Sequence, residues 1–158
     1  MNRRDTFLAL VGWLLVTFLA AAGGAMFPPG EWYASLHKPS WNPPGWIFGP
    51  VWTTLYALMA IAAWLVWKRG GFAVQRRPLS LYLVQLVLNA AWTPLFFGLQ
   101  KPWIAAGEMV LLWIAIVLTM IAFFRVQRLA GLLFLPYLLW VSFALFLNIT
   151  LARLNPAA

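Results

Sequence analysis

The chain has 158 residues, of which 64% are hydrophobic and only 9% charged, and its mean hydropathy is +0.84. A water-soluble domain carries about 25% charged residues, so composition excludes a globule in water and requires lipid as the solvent of the outer surface. The formal net charge of +8 flanks apolar runs and forms no basic stripe, which argues against a nucleic-acid partner and for interfacial anchoring; with no cysteine, disulfides and thiol chemistry are excluded.

A spanning helix needs about 20 residues, so five such helices and short loops fill the length. The predicted fold is an all-α membrane protein: one domain over residues 1–158, a five-helix transmembrane bundle with a long structured first loop. The first predicted span covers residues 7–26. Arg3 and Arg4 ahead of it, and the small residues at 20–25, imitate a signal peptide. The run approaches spanning length, however, and the following chain continues as membrane protein, so the segment is read as a retained helix.

Residues 27–46 form the most unusual segment. Pro28, Pro29, Pro39, Pro43 and Pro44 forbid a continuous helix, leaving room for one short helix within residues 31–37. Trp32, Tyr33, Trp41 and Trp46 suit a membrane interface, and a structured loop of this length is commonly functional. The second span covers residues 48–67, with Pro50 in its first turn, where a missing N–H is tolerated. The third covers 79–98 and contains Gln85, Asn89 and Pro94. The fourth, 103–124, contains Glu108. The fifth, 129–151, contains Pro136 and Asn148.

Arg3, Arg4, Lys68, Arg69, Arg76, Arg77, Arg125 and Arg128 fall on one side of this layout, against Lys38, Lys101 and Arg153 on the other. In a bacterial inner membrane the positive-inside rule then puts the N-terminus in the cytoplasm and the Trp/Pro loop outside.

Polar residues within spans are functional candidates, because lipid makes them expensive. Gln85 is read as interhelical glue. Asn89 shares a helical face with Trp92 and Phe96, as in the wall of a ligand pocket. Glu108 is read as an interfacial acid paired with a base such as Lys101 or capping a neighbouring helix, with a proton-linked or catalytic carboxylate as the alternative. His37 is the only histidine and Asp5 the only aspartate, so neither a metal-ligand set nor a Ser/His/Asp arrangement is available.

Tryptophan is the strongest signal, with 11 in the chain. An aromatic belt accounts for Trp13, Trp64, Trp67 and Trp103. It accounts less well for Trp52, Trp92 and Trp140, which come from three spans and each have proline nearby. Indoles converging from several helices would form an apolar cavity suited to a planar aromatic ligand such as a porphyrin.

The stretch Trp32-Tyr33-x-x-Leu36-x-Lys38-Pro39-x-Trp41-x-Pro43-Pro44-x-Trp46 resembles the first-loop signature of the TspO/MBR family, also known as translocator proteins, tryptophan-rich sensory proteins or peripheral-type benzodiazepine receptors. The resemblance continues through Gly49-Pro50-Val51-Trp52-x-x-Leu55-Tyr56 and Gln85-Leu86-x-Leu88-Asn89-x-x-Trp92-x-Pro94-x-Phe96-Phe97. It ends with Pro136-Tyr137-x-x-Trp140, Leu147-Asn148, Arg153 and Asn155. It implies a five-helix bundle, often a homodimer, whose first loop lids a cavity for porphyrins such as protoporphyrin IX, for heme, or for drug-like ligands, with no obligatory cofactor. Carried over by motif, the ligand-binding residues are Trp41, Pro43, Pro44, Phe48, Trp52, Asn89, Trp92, Trp140, Ala144 and Leu147, with Ala22 and Ala25 on the first span. Cholesterol-binding members have a tyrosine near the positions of Ile149 and Thr150, and this chain has none.

Three functions follow as expectations. The first is a membrane binding or sensory protein for tetrapyrroles. The second is a light- and oxygen-dependent porphyrin-degrading enzyme, with Trp52 and Trp140 as its catalytic indoles. The third is a porphyrin or lipid transporter.

Overall fold

A computed structural model describes residues 3–156; residues 1, 2, 157 and 158, at the ends of the expected domain, lie outside the described residues. The elements run α1 (Arg3–Ala25), α2 (Glu31–Ser35), a 3-10 turn (Gly45–Ile47), α3 (Phe48–Trp67), α4 (Gly71–Thr93), a π-helical turn (Pro94–Gly98), α5 (Pro102–Val126), α6 (Arg128–Leu132) and α7 (Leu135–Leu154). Five helical segments are long and apolar enough to cross a membrane: Arg3–Ala25, Gly45–Trp67, Gly71–Gly98, Pro102–Val126 and Arg128–Leu154. Large apolar side chains such as Leu15, Leu19, Leu111 and Phe146 face outward, as lipid allows and water does not. The chain is a multi-pass integral membrane protein.

The third span is longer than expected. Arg76, Arg77 and Pro78 read as loop, yet α4 begins at Gly71 and absorbs them by a kink at Gln75 (φ −103°, ψ 33°). A proline cannot accept the regular helix upstream of it, so the distortion sits within the turn before Pro78. Gly70 (φ 118°) and Gly71 (φ 60°) make the turn that launches α4, in a region L side chains rarely adopt. At the other end Pro94 closes α4 with a π turn, in which the Leu99 amide donates to the Pro94 carbonyl at 2.8 Å. Such turns are frequent at functional sites.

Two inward features differ from expectation. Trp13, read as a belt residue, is buried edge-on against Tyr82 at 5.4 Å, next to a hydrogen bond between the Thr17 and Tyr82 hydroxyls. This pair fixes α1 to α4. Glu108 neither pairs with Lys101 nor caps a helix. Both its carboxyl oxygens are buried in the bundle without a hydrogen-bond partner, whereas Lys101 is exposed ahead of α5. Gln85 acts as glue: its Oε1 accepts from the Tyr137 hydroxyl at 3.0 Å, and its Nε2 points at the Met59 sulfur.

Candidate ligand-binding cavity

Between the spans and the first loop lies a cavity of about 640 Å³. This is within the range of about 300–1,000 Å³ usual for small-molecule sites. Three indoles reach its wall from three helices, Trp52 from α3, Trp92 from α4 and Trp140 from α7. Each is held by aromatic neighbours. Trp52 stacks on Tyr56 at 5.4 Å, Trp92 stacks on Phe96 at 4.9 Å, and Trp140 meets Phe48 edge-on at 5.8 Å. The π turn after Thr93 is what brings Phe96 and Phe97 to the same wall.

No charged side chain contributes to the wall, and its polar groups are largely engaged with one another. Asn89 Oδ1 accepts from the Tyr56 hydroxyl at 2.6 Å, and its Nδ2 donates to the Tyr137 hydroxyl at 2.9 Å. The Trp92 indole N–H donates to Asn148 Oδ1, and Asn148 Nδ2 donates to the Pro102 carbonyl, both at 2.9 Å. Two side-chain atoms of wall residues, Trp140 Nε1 and Asn42 Oδ1, are buried without a hydrogen-bond partner.

The first loop closes one side through Tyr33, Asn42 and Pro43. Burial raises the Tyr33 phenol above its usual pKa, with a smaller opposing effect from the Asn42 side chain. Lys38 Nζ donates to the Ala34 and Leu36 carbonyls, both at 3.2 Å, and sits 4.6 Å from the Tyr33 ring centre. Asn155, just beyond α7, clasps the loop from the other end. Its Oδ1 accepts from the His37 amide at 2.9 Å and its Nδ2 donates to the His37 carbonyl at 3.0 Å.

A family model for the TspO/MBR family matches residues 7–154. The chain belongs to the TspO/MBR family. It is similar to the tryptophan-rich protein TspO of Chlorobaculum tepidum, with 45% identity across 99% of this chain and 100% of the relative. The tryptophan-rich sensory protein of Cereibacter sphaeroides is 44% identical over 90% of this chain and 91% of its own. The translocator protein of Homo sapiens is 43% identical over 92% of this chain and 89% of its own.

The residues that carry the TspO/MBR resemblance separate into two groups. Ala25, Pro43, Phe48, Trp52, Asn89, Trp92, Trp140, Ala144 and Leu147 line this same cavity. Ala22, Trp41 and Pro44 do not. On α1 the wall is made by Phe18, Ala21, Gly24 and Ala25, and Ala22 lies about 100° round the helix from Ala21 and is exposed. Trp41 is exposed and stacks on Phe146 at 5.3 Å, and Pro44 is exposed as well. Sequence reasoning missed Tyr33, Asn42 and Tyr56 as wall residues. Tyr56 stands in the quoted motif beside Trp52, one helical turn on, and that spacing was the available signal. The loop residues offered no periodic signal.

Proposed function

We propose that this TspO/MBR protein is a membrane-embedded binding protein, with a sensory role, for flat and largely apolar tetrapyrroles such as protoporphyrin IX and heme. One observation carries the proposal: Trp52, Trp92 and Trp140, from three helices, share the wall of one uncharged cavity of about 640 Å³. Indole faces stack on planar aromatic ligands, and burial of the ring system supplies the affinity. The Asn89 amide is fixed by two phenols, so it offers shape rather than a free hydrogen bond. With no cation on the wall, the ligand's carboxylates belong at the rim, outside the apolar chamber.

The test is a dark titration of detergent-purified protein with protoporphyrin IX, followed by tryptophan fluorescence. Saturable quenching is expected, weakened about tenfold or more in the Trp52→Ala/Trp140→Ala double variant. Near-normal affinity in that variant would remove the assigned site.

A second reading is favoured by the positions of Trp52 and Trp140, two oxidisable indoles on a wall that carries no acid–base pair. It is light-driven oxidation of the bound porphyrin with dioxygen as oxidant. Illumination of the complex would then yield a new absorbing product that Trp140→Phe abolishes. Equal product from that variant would reduce the reaction to photobleaching.

A further inference from the structure

The α3–α4 turn brings three arginines together at one end of the bundle. Gln75, at the kink of α4, donates its side-chain amide to the Arg69 carbonyl at 3.0 Å. That bond draws the start of the turn, with Arg69, back toward Arg76 and Arg77. Phe72 stacks on Trp13 of α1 at 6.0 Å and pins the turn to the bundle. Arg69, Arg76 and Arg77 are exposed, and among the described residues no group partners their guanidinium groups. Lys68 is committed instead to the Trp64 ring, 3.6 Å from its centre. Of the three acidic residues, Glu31 lies in α2 and the Glu108 carboxyl is buried within the bundle. Asp5 is the acid at this end, next to Thr6, whose carbonyl accepts from the Trp64 indole at 2.8 Å.

The depth of the turn follows from its neighbours. Leu79, two residues beyond Arg77, is the first buried residue of α4 and opens its apolar run. The arginines therefore stand where that run meets the headgroups. Phe72 and Val74 are exposed between them. Exposed apolar side chains interleaved with cations suit the boundary between headgroups and acyl chains, and suit neither water nor hydrocarbon alone. We propose that this turn is a docking surface for anionic phospholipids. Arg69, Arg76 and Arg77 take the phosphodiester oxygens, and Val74 reaches the acyl chains. A planar guanidinium offers two parallel N–H donors to two phosphate oxygens, and each further cation adds to the attraction for an anionic headgroup. A zwitterionic headgroup carries an ammonium that the same arginines repel. The surface is separate from the cavity, and the inference does not depend on the tetrapyrrole function.

The chain has no cysteine, so one introduced cysteine takes a single label. Bimane on Ala73→Cys reports the turn, and bimane on Leu99→Cys, exposed beyond the other end of α4, is the control. Each protein is reconstituted in phosphatidylcholine vesicles with increasing phosphatidylglycerol or phosphatidylcholine brominated high on the acyl chain, where bromine quenches a neighbouring label. At residue 73, brominated phosphatidylglycerol is expected to reach half-quenching at a mole fraction about fivefold lower than brominated phosphatidylcholine. The two lipids are expected to agree within about twofold at residue 99, and at residue 73 once Arg69→Gln/Arg76→Gln/Arg77→Gln is introduced. If that triple variant does not fold, Arg76→Gln/Arg77→Gln decides. Equal quenching at residue 73 in the parent chain overturns the inference. So does an equal preference at residue 99, which would report overall charge, or a preference that survives loss of the arginines. Inorganic phosphate separates the two sources of the anion. A preference lost in phosphate but kept in chloride of equal ionic strength would assign the arginines to a free anion and overturn the lipid site; a preference kept in both supports it.

Discussion

Asn89 on α4 donates its amide N–H to the hydroxyl of Tyr137 on α7 at 2.9 Å, and the same hydroxyl donates onward to Gln85 at 3.0 Å. With Tyr56 donating to Asn89 Oδ1, the chain ties α3, α4 and α7 together at the edge of the cavity. Hydrogen bonds between membrane helices contribute about 0.6 kcal/mol each on average and up to about 1.7. Asn89→Leu removes two of them and leaves two phenols short of a partner. A loss of about 1–3 kcal/mol in unfolding free energy is expected in detergent, against about 0.6 for Tyr56→Phe. Reversible denaturation of the two variants checks the order.

The Asn155 clasp on His37 uses only the His37 backbone. Asn155→Ala should therefore free the first loop and speed porphyrin release several-fold, while His37→Ala leaves release unchanged. Stopped-flow displacement of bound porphyrin distinguishes the two variants. A large effect of His37→Ala would show that the imidazole, not the backbone, holds the loop.

Glu108 presents two buried oxygens with no partner in a spanning helix. An unpaired acid there costs stability, and an apolar residue of similar length removes the cost. Glu108→Leu should melt at the same temperature as the parent or higher. A loss exceeding about 1 kcal/mol would show that the carboxyl has a stabilising partner.

At the α3–α4 turn, Gly70 has φ 118°, and an added Cβ would stand 2.6 Å from Val74 Cγ2. Gly70→Ala should lower stability by about 1–2 kcal/mol through the left-handed backbone alone, with the clash in addition. Chemical denaturation against the parent chain measures it.

Much of the bundle was legible because lipid imposes a simple length rule. The second span, residues 48–67, coincides with α3, since Pro50 and Lys68 mark its ends. The start of α4 was hidden because Arg76, Arg77 and Pro78 have loop composition, and only the Gln75 kink lets the helix pass through them. Helix faces were harder to read. A soluble helix shows its inward face by alternation with polar residues, but lipid tolerates apolar residues all round. Hence Trp13 reads as a belt residue although it is buried, and Ala22 reads as wall although Ala21 makes it. The convergence of Trp52, Trp92 and Trp140 was readable from their unusual placement within spans. The place of Asn42 on the wall was not, because it depends on loop geometry that residue spacing does not encode.

The most direct measurement fills the cavity. Ala144 lies on the wall one turn beyond Trp140 on α7, and Ala144→Phe places a ring in the chamber without touching any of the three indoles' identities. Dark quenching titrations with protoporphyrin IX, on protein whose helical circular dichroism matches the parent, should show affinity reduced at least about tenfold. Undiminished, saturable binding in Ala144→Phe would mean that the porphyrin sits elsewhere, and the cavity would lose its assigned role.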